Sequence, residues 1–115
     1  MKTFSHSIGT INYTIKIGQN AKENWNLIDN SETFDLWFHL DNHPSSHVII
    51  SQDLNSDPEI FYPNQIILLA ADYCKSYSKQ KNTSKIKVLY TQIHNLTKGK
   101  EIGSVFVSNE KFIIV

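Results

Sequence analysis

Arginine is absent from the 115 residues. It is the side chain that grips phosphates, carboxylates and guanine edges with two parallel hydrogen bonds. Tight base-specific reading of a DNA major groove is therefore disfavoured, and any anion must be held by lysine point charges, hydroxyls, amides or backbone. A single cysteine, Cys74, rules out an internal disulfide and fits a reducing compartment, so the cytoplasm is expected, with the nucleus second. The four glycines (Gly9, Gly18, Gly99, Gly103) are too scattered for a glycine-rich phosphate loop, and no Gly-x-Ser-x-Gly elbow surrounds Ser45 or Ser46. No apolar run approaches the ~20 residues of a membrane span, and Met1 to Ser7 holds no secretory apolar segment. The length suits one domain, 1–115, with one core.

Net charge is also zero, but it is divided along the chain. Residues 23–74 carry nine acidic side chains and no basic one, whereas residues 75–100 carry seven lysines and no acid. Segregated charge points to an interaction surface. Lys75, Lys79, Lys85, Lys87, Lys98 and Lys100 are therefore candidates for a phosphate-facing patch. The competing reading is that folding interleaves the two blocks.

Apolar and polar residues alternate from Ile11 to Ile17, which predicts a half-buried strand ended by Gly18. Asn20 suits the cap of a short helix over about 20–28. Phe34–Leu40 and His47–Ser51 read as a hairpin around the turn residues 41–46. A polar loop is expected from Gln52 to Glu59. Pro63 then opens the one long helix, about 63–79, with Ile66, Leu69, Ala70, Tyr73, Cys74 and Tyr77 at helical spacing. This spacing predicts Lys75 and Lys79 on one face of its last turn and Cys74 in the core. A strand over 85–90 would put Lys85 and Lys87 on one face, and 103–107 with 111–115 would form a closing hairpin. The result is an α+β domain with a mostly antiparallel sheet of about six strands.

Five histidines raise a metal hypothesis. His39 and Asp41 with His94 have the residue types of a two-histidine, one-carboxylate iron site, as in metal-dependent oxygenases. Such enzymes need a double-layered β scaffold larger than this chain provides. No metal, cofactor or catalytic constellation is therefore expected. Trp37 and Phe38 point to opposite faces of their strand, and both are expected in the core, because helices can cover either face of a sheet.

The segment Asp35-Leu36-Trp37-Phe38-His39, followed by Pro44-Ser45-Ser46-His47-Val48, resembles the NFACT-R family pattern Asp-Leu-Trp-Phe-His, turn, Pro-Gly-Ser-His-Val. Gly18-Gln19-Asn20-Ala21-Lys22-Glu23-Asn24 is similar to its Gly-Arg-Asn-Ala-Arg-Gln/Glu-Asn segment. The runs Ala70–Ser76 and Val88–Thr91 match further motifs, so the resemblance covers about residues 10–115. It implies a non-catalytic RNA-binding module that engages tRNA or rRNA at the large ribosomal subunit during ribosome-associated quality control. A second branch carries a C-terminal coiled coil, and Asn95-Leu96-Thr97-Lys98 looks closer to that branch. The remaining family domains would come from a separate chain. Three departures stand out: Gln19 replaces a common arginine, Ser45 a common glycine and Trp25 a common acid.

The candidate RNA-binding residues are Gly18, Gln19, Asn20, Lys22, His39, Ser46 and His47, together with the six lysines above. His39 and His47 are expected to meet across the hairpin in a polar cluster with Asp35 and Ser46. An alternative is a protein-interaction adaptor whose acidic block docks on a ribosomal or other basic partner.

Overall fold

The computed structural model describes residues 1–52 and 62–115. The loop expected over Gln52–Glu59 lies, beyond Gln52 itself, outside the described residues. Chain order is β1 (Lys2–Ile8), β2 (Ile11–Ile17), α1 (Ala21–Asp29), β3 (Leu36–Leu40), β4 (Val48–Gln52), α2 (Asn64–Ser76), β5 (Lys87–Gln92), a 3₁₀ turn (Ile93–Asn95), β6 (Leu96–Lys98), β7 (Val105–Val107) and β8 (Lys111–Ile114). Six strands form an antiparallel sheet ordered β1-β2-β4-β3-β5-β8, and β6 pairs with β7 in a separate ribbon. No helix among the described residues is long and apolar enough to cross a membrane.

Strand periodicity explains the layering. Ile15, Ile17, Leu36, Phe38, Leu40, Val48, Ile50 and Val88 project to one face, where the apolar stripe of α2 (Ile66, Ile67, Ala70, Ala71, Cys74) covers them. Trp37 and Ile49 project to the other face, beneath Leu27 of α1 and Ile93, with Leu96, Val105 and Val107 of the small ribbon packed alongside. Both faces are covered, so Trp37 and Phe38 are each fully buried, as expected.

Several expectations are corrected. Lys2–Ile8 adds an edge strand that sequence reading left unassigned. It turns into β2 through Gly9, whose φ of 61° suits a residue without Cβ. The long helix stops at Ser76 rather than 79. The Tyr77 and Ser78 amides donate to the carbonyls of Tyr73 and Lys75, and the Ser78 hydroxyl also donates to Lys75. Such local serine bonding competes with the helical ladder, so Lys79 lies beyond the last turn. Lys85 has φ 57° and lies outside β5, which breaks the alternation that would have aligned it with Lys87. The expected closing hairpin does not form. β7 pairs with β6, while β8 pairs with β5, and the connection is held by Ser108 and Asn109, with the Thr91 hydroxyl donating to the Ser108 carbonyl.

Candidate nucleic-acid interface

The Asn20 cap was readable, and it holds. Its Oδ1 accepts from the Glu23 amide at 2.9 Å, and Glu23 reaches back to the Gln19 amide at 3.0 Å, so two donors at the start of α1 are satisfied reciprocally. The Gln19 amide holds the Glu23 carboxyl below the usual carboxylate range. Just upstream, the Gly18 amide donates to the His47 carbonyl at 3.0 Å. A Cβ on Gly18 would sit 2.2 Å from Asn24 Oδ1. That oxygen instead accepts from the His47 amide at 3.2 Å. Gly18 and buried Asn24 thus clasp the backbone of His47 from both sides, tying α1 to the β3–β4 hairpin.

His39 and His47 do meet across that hairpin, with ring centroids 5.4 Å apart and planes at 80°. Both pack on Trp37: His39 stacks at 5.7 Å and 12°, and His47 meets it edge-on at 5.3 Å. His47 is buried, and the loss of hydration pushes its pKa down to about 3, with nearby His39 adding to the shift. Burial also lowers His39, against the Leu40 carbonyl and Asp41, which both pull it upward. At neutral pH both rings are uncharged.

Asp35 does not join this cluster. It lies before β3, at the strand's far end, where its carboxylate accepts from the Glu32 amide and the Ser51 hydroxyl at 2.9 Å each. Burial raises its pKa. Its place in the motif is structural: it closes the entry turn to β3.

One cleft of about 510 Å³ gathers the motif segments. The α1 entrance (Gln19, Asn20, Ala21) and Asn24 form one wall, and Pro44 to His47 with His39 form another. The turn after α2 (Tyr77 to Gln80, including Lys79) and Ile102–Gly103 complete it. Gly103 fits because its φ is 89° and a Cβ there would lie 2.8 Å from that of Ala21. A volume of this size lies in the range of small-ligand pockets. The first-turn amides of Ala21 and Lys22 precede the helix's own hydrogen-bond ladder, so this wall favours anions.

The lysines divide. Lys79 lines the cleft, and Lys22 is exposed beside Ala21 on α1. Lys87 is 3.9 Å from the Asp41 carboxylate and lies over the Phe112 ring, while Lys98 bonds Asp29 at 2.6 Å and covers Trp25. Lys75, Lys85 and Lys100 have no carboxylate within ion-pair distance among the described residues, and they do not line the cleft. Two of the six candidate lysines, Lys87 and Lys98, thus pair with carboxylates of the acidic block.

His94 does not approach His39 and Asp41. Its Nε2 pairs with Gln92 Oε1 at 2.7 Å and its ring meets Phe34, beyond the opposite end of β3. Among the described residues, no group of three histidine, cysteine or acidic side chains could hold a metal ion. Cys74 is buried in the α2 stripe, where burial pushes its thiol up to about 12. Of the cleft lining, Lys79 is among the candidates from the sequence, whereas Asn24, Tyr77, Ser78, Gln80 and Gly103 are not. For Asn24 a signal existed, since it ends the Gly18–Asn24 motif.

Comparison with known proteins identifies a family. The family model described as NFACT protein RNA binding domain matches residues 2–110. The chain is 31% identical over 109 residues to the Rqc2 homolog RqcH of Bacillus subtilis, covering 92% of this chain and 18% of that protein. It is 29% identical over 110 residues to coiled-coil domain-containing protein 25 of Mus musculus, covering 93% of this chain and 52% of that protein. The chain thus spans at most about half the length of these relatives. The solved C-terminal structure of the fibronectin/fibrinogen-binding protein from Streptococcus suis superposes with a TM-score of 0.78 at 25% identity, over 90% of this chain and 40% of that one.

Proposed function

This chain belongs to the NFACT protein RNA binding domain family, and from that premise we propose that it is a non-catalytic module holding RNA in the cleft between the α1 entrance and the histidine hairpin. The observation that carries the proposal is the convergence itself. Two motif segments, Gly18–Asn24 and His39–His47, are clasped together by the Gly18 and Asn24 bonds to His47, and Lys79 faces the same space. One wall offers helix-start amides and lysine charge for a phosphate, and the other offers the neutral, half-buried His39 ring for a sugar or base. The finer reading is that the RNA is tRNA or ribosomal RNA at the large ribosomal subunit, in cytoplasmic ribosome-associated quality control, with further domains supplied elsewhere. The likeness to the Rqc2 homolog RqcH supports it. Of the acidic block behind the adaptor alternative, Asp29 and Asp41 pair with Lys98 and Lys87, Asp35 is buried, and Glu32 and Asp72 are exposed.

The test is fluorescence anisotropy with single-stranded RNA and tRNA at low and physiological salt. Two phosphates neutralised by Lys22 and Lys79 would give a log–log salt slope of about −1.4 on a single strand. No binding at low salt would remove the function.

A further inference from the structure

His39 has a chemical polarity that the rest of the cleft lacks. Its Nδ1 lies 2.5 Å from the Leu40 carbonyl oxygen, which can only accept. The proton of the neutral ring must therefore sit on Nδ1, leaving Nε2 with a lone pair. The ring cannot easily turn to exchange the two nitrogens, because Trp37 stacks flat on one side and His47 stands edge-on to it, and both of those side chains are buried. Nε2 takes no hydrogen bond from any described residue. The Ser45 hydroxyl on the same wall is already occupied: its Oγ accepts from the Leu40 amide at 3.0 Å and donates to the Ser46 carbonyl at 3.1 Å.

The consequence is a cleft with two opposite demands. The α1 entrance and Lys79 present donors, which suit phosphate oxygens. A fixed imidazole lone pair repels such oxygens and needs a donor. We propose that His39 Nε2 is a specificity-determining acceptor that takes a hydrogen bond from a neutral donor of the bound nucleotide, either the ribose 2′-hydroxyl or an exocyclic base amine. This rests on the RNA-binding reading of the cleft, and it adds the orientation of the nucleotide: phosphate toward the start of α1, sugar or base edge toward β3. The 2′-hydroxyl, where it is the donor, is also the group by which a protein separates RNA from DNA.

The test uses three matched oligoadenylates (ribo, deoxy and 2′-O-methyl) against the unmodified chain and against His39→Phe. Phenylalanine keeps an aromatic ring against Trp37 and removes the acceptor. A lost neutral hydrogen bond corresponds to a fall in affinity of about fivefold. A fall confined to the ribo-oligomer supports the proposal with the 2′-hydroxyl as donor. An equal fall for all three supports it with the base amine as donor. Unchanged affinity for all three, in a variant whose melting curve shows it folded, overturns the proposal and leaves RNA binding standing. If the unmodified chain binds none of the three, the RNA reading fails first. Should His39→Phe not fold, ¹⁵N NMR of the unmodified chain decides: an Nε2 resonance that moves on saturation with the ribo-oligomer supports the acceptor role, and a stationary one refutes it.

Discussion

Acid should unfold this protein through one buried ring. His47 is 3% exposed, and its pKa falls from 6.5 to about 3 because the protein replaces its water with Trp37 and the hairpin backbone. The folded state thus refuses a proton that the unfolded chain accepts. Stability from this group is complete above about pH 6.5 and drains away as pH falls toward 3. The full span of the shift corresponds to about 5 kcal/mol, and at about pH 5 the unfolded chain has already gained about 2 kcal/mol. His39, lowered in the same direction, adds to the effect. Urea denaturation at about pH 7.5 and pH 5 measures the loss. His47→Phe keeps a ring beside Trp37 without the titration, so it should lose about 2 kcal/mol less than the unmodified chain over that interval. Identical losses in the two proteins would show that His47 is hydrated or partnered when folded, and the reasoning about the hairpin would fall with it.

Gly18→Ala should destabilise by about 2 kcal/mol in the same assay, because its Cβ displaces Asn24 Oδ1 and strands the buried His47 amide. Asn20→Ala should cost about 1 kcal/mol by removing the α1 cap. Lys79→Glu should weaken RNA binding and flatten the single-strand salt slope by about 0.7, whereas Lys98→Glu, whose partner is Asp29, should leave affinity nearly unchanged. Cys74 should react with a thiol reagent in the folded protein only at the rate of unfolding, since burial keeps its thiol protonated.

Much of the fold was legible where one residue type answers one local demand. Asn20 before a helix, Pro63 opening α2, and a Trp-Phe pair on a strand covered from both sides each behaved as their chemistry requires. The illegible parts depended on partners distant in the chain. β1 offers mostly exposed, polar alternation, so only its pairing with β2 marks it as a strand. Three-residue strands such as β6 and β7 have too little pattern to reveal that they pair with each other rather than with the final strand. The site divides in the same way. The two motif segments and Lys79 showed in the sequence, but Tyr77, Ser78, Gln80 and Gly103 reach the cleft only because α2 ends early and the β6–β7 loop folds over α1. Charge segregation is a coarse guide for a simple reason: position along the chain does not say which lysines meet carboxylates, and Lys87 and Lys98 do.

Amide chemical-shift mapping with a short single-stranded RNA tests the account at its centre. The largest changes should fall together on Gln19 to Lys22, Ser45 to His47 and Ser78 to Gln80, three stretches that only the folded cleft unites. Changes concentrated instead on the paired lysines 87 and 98, or along the exposed face of α2, would contradict it.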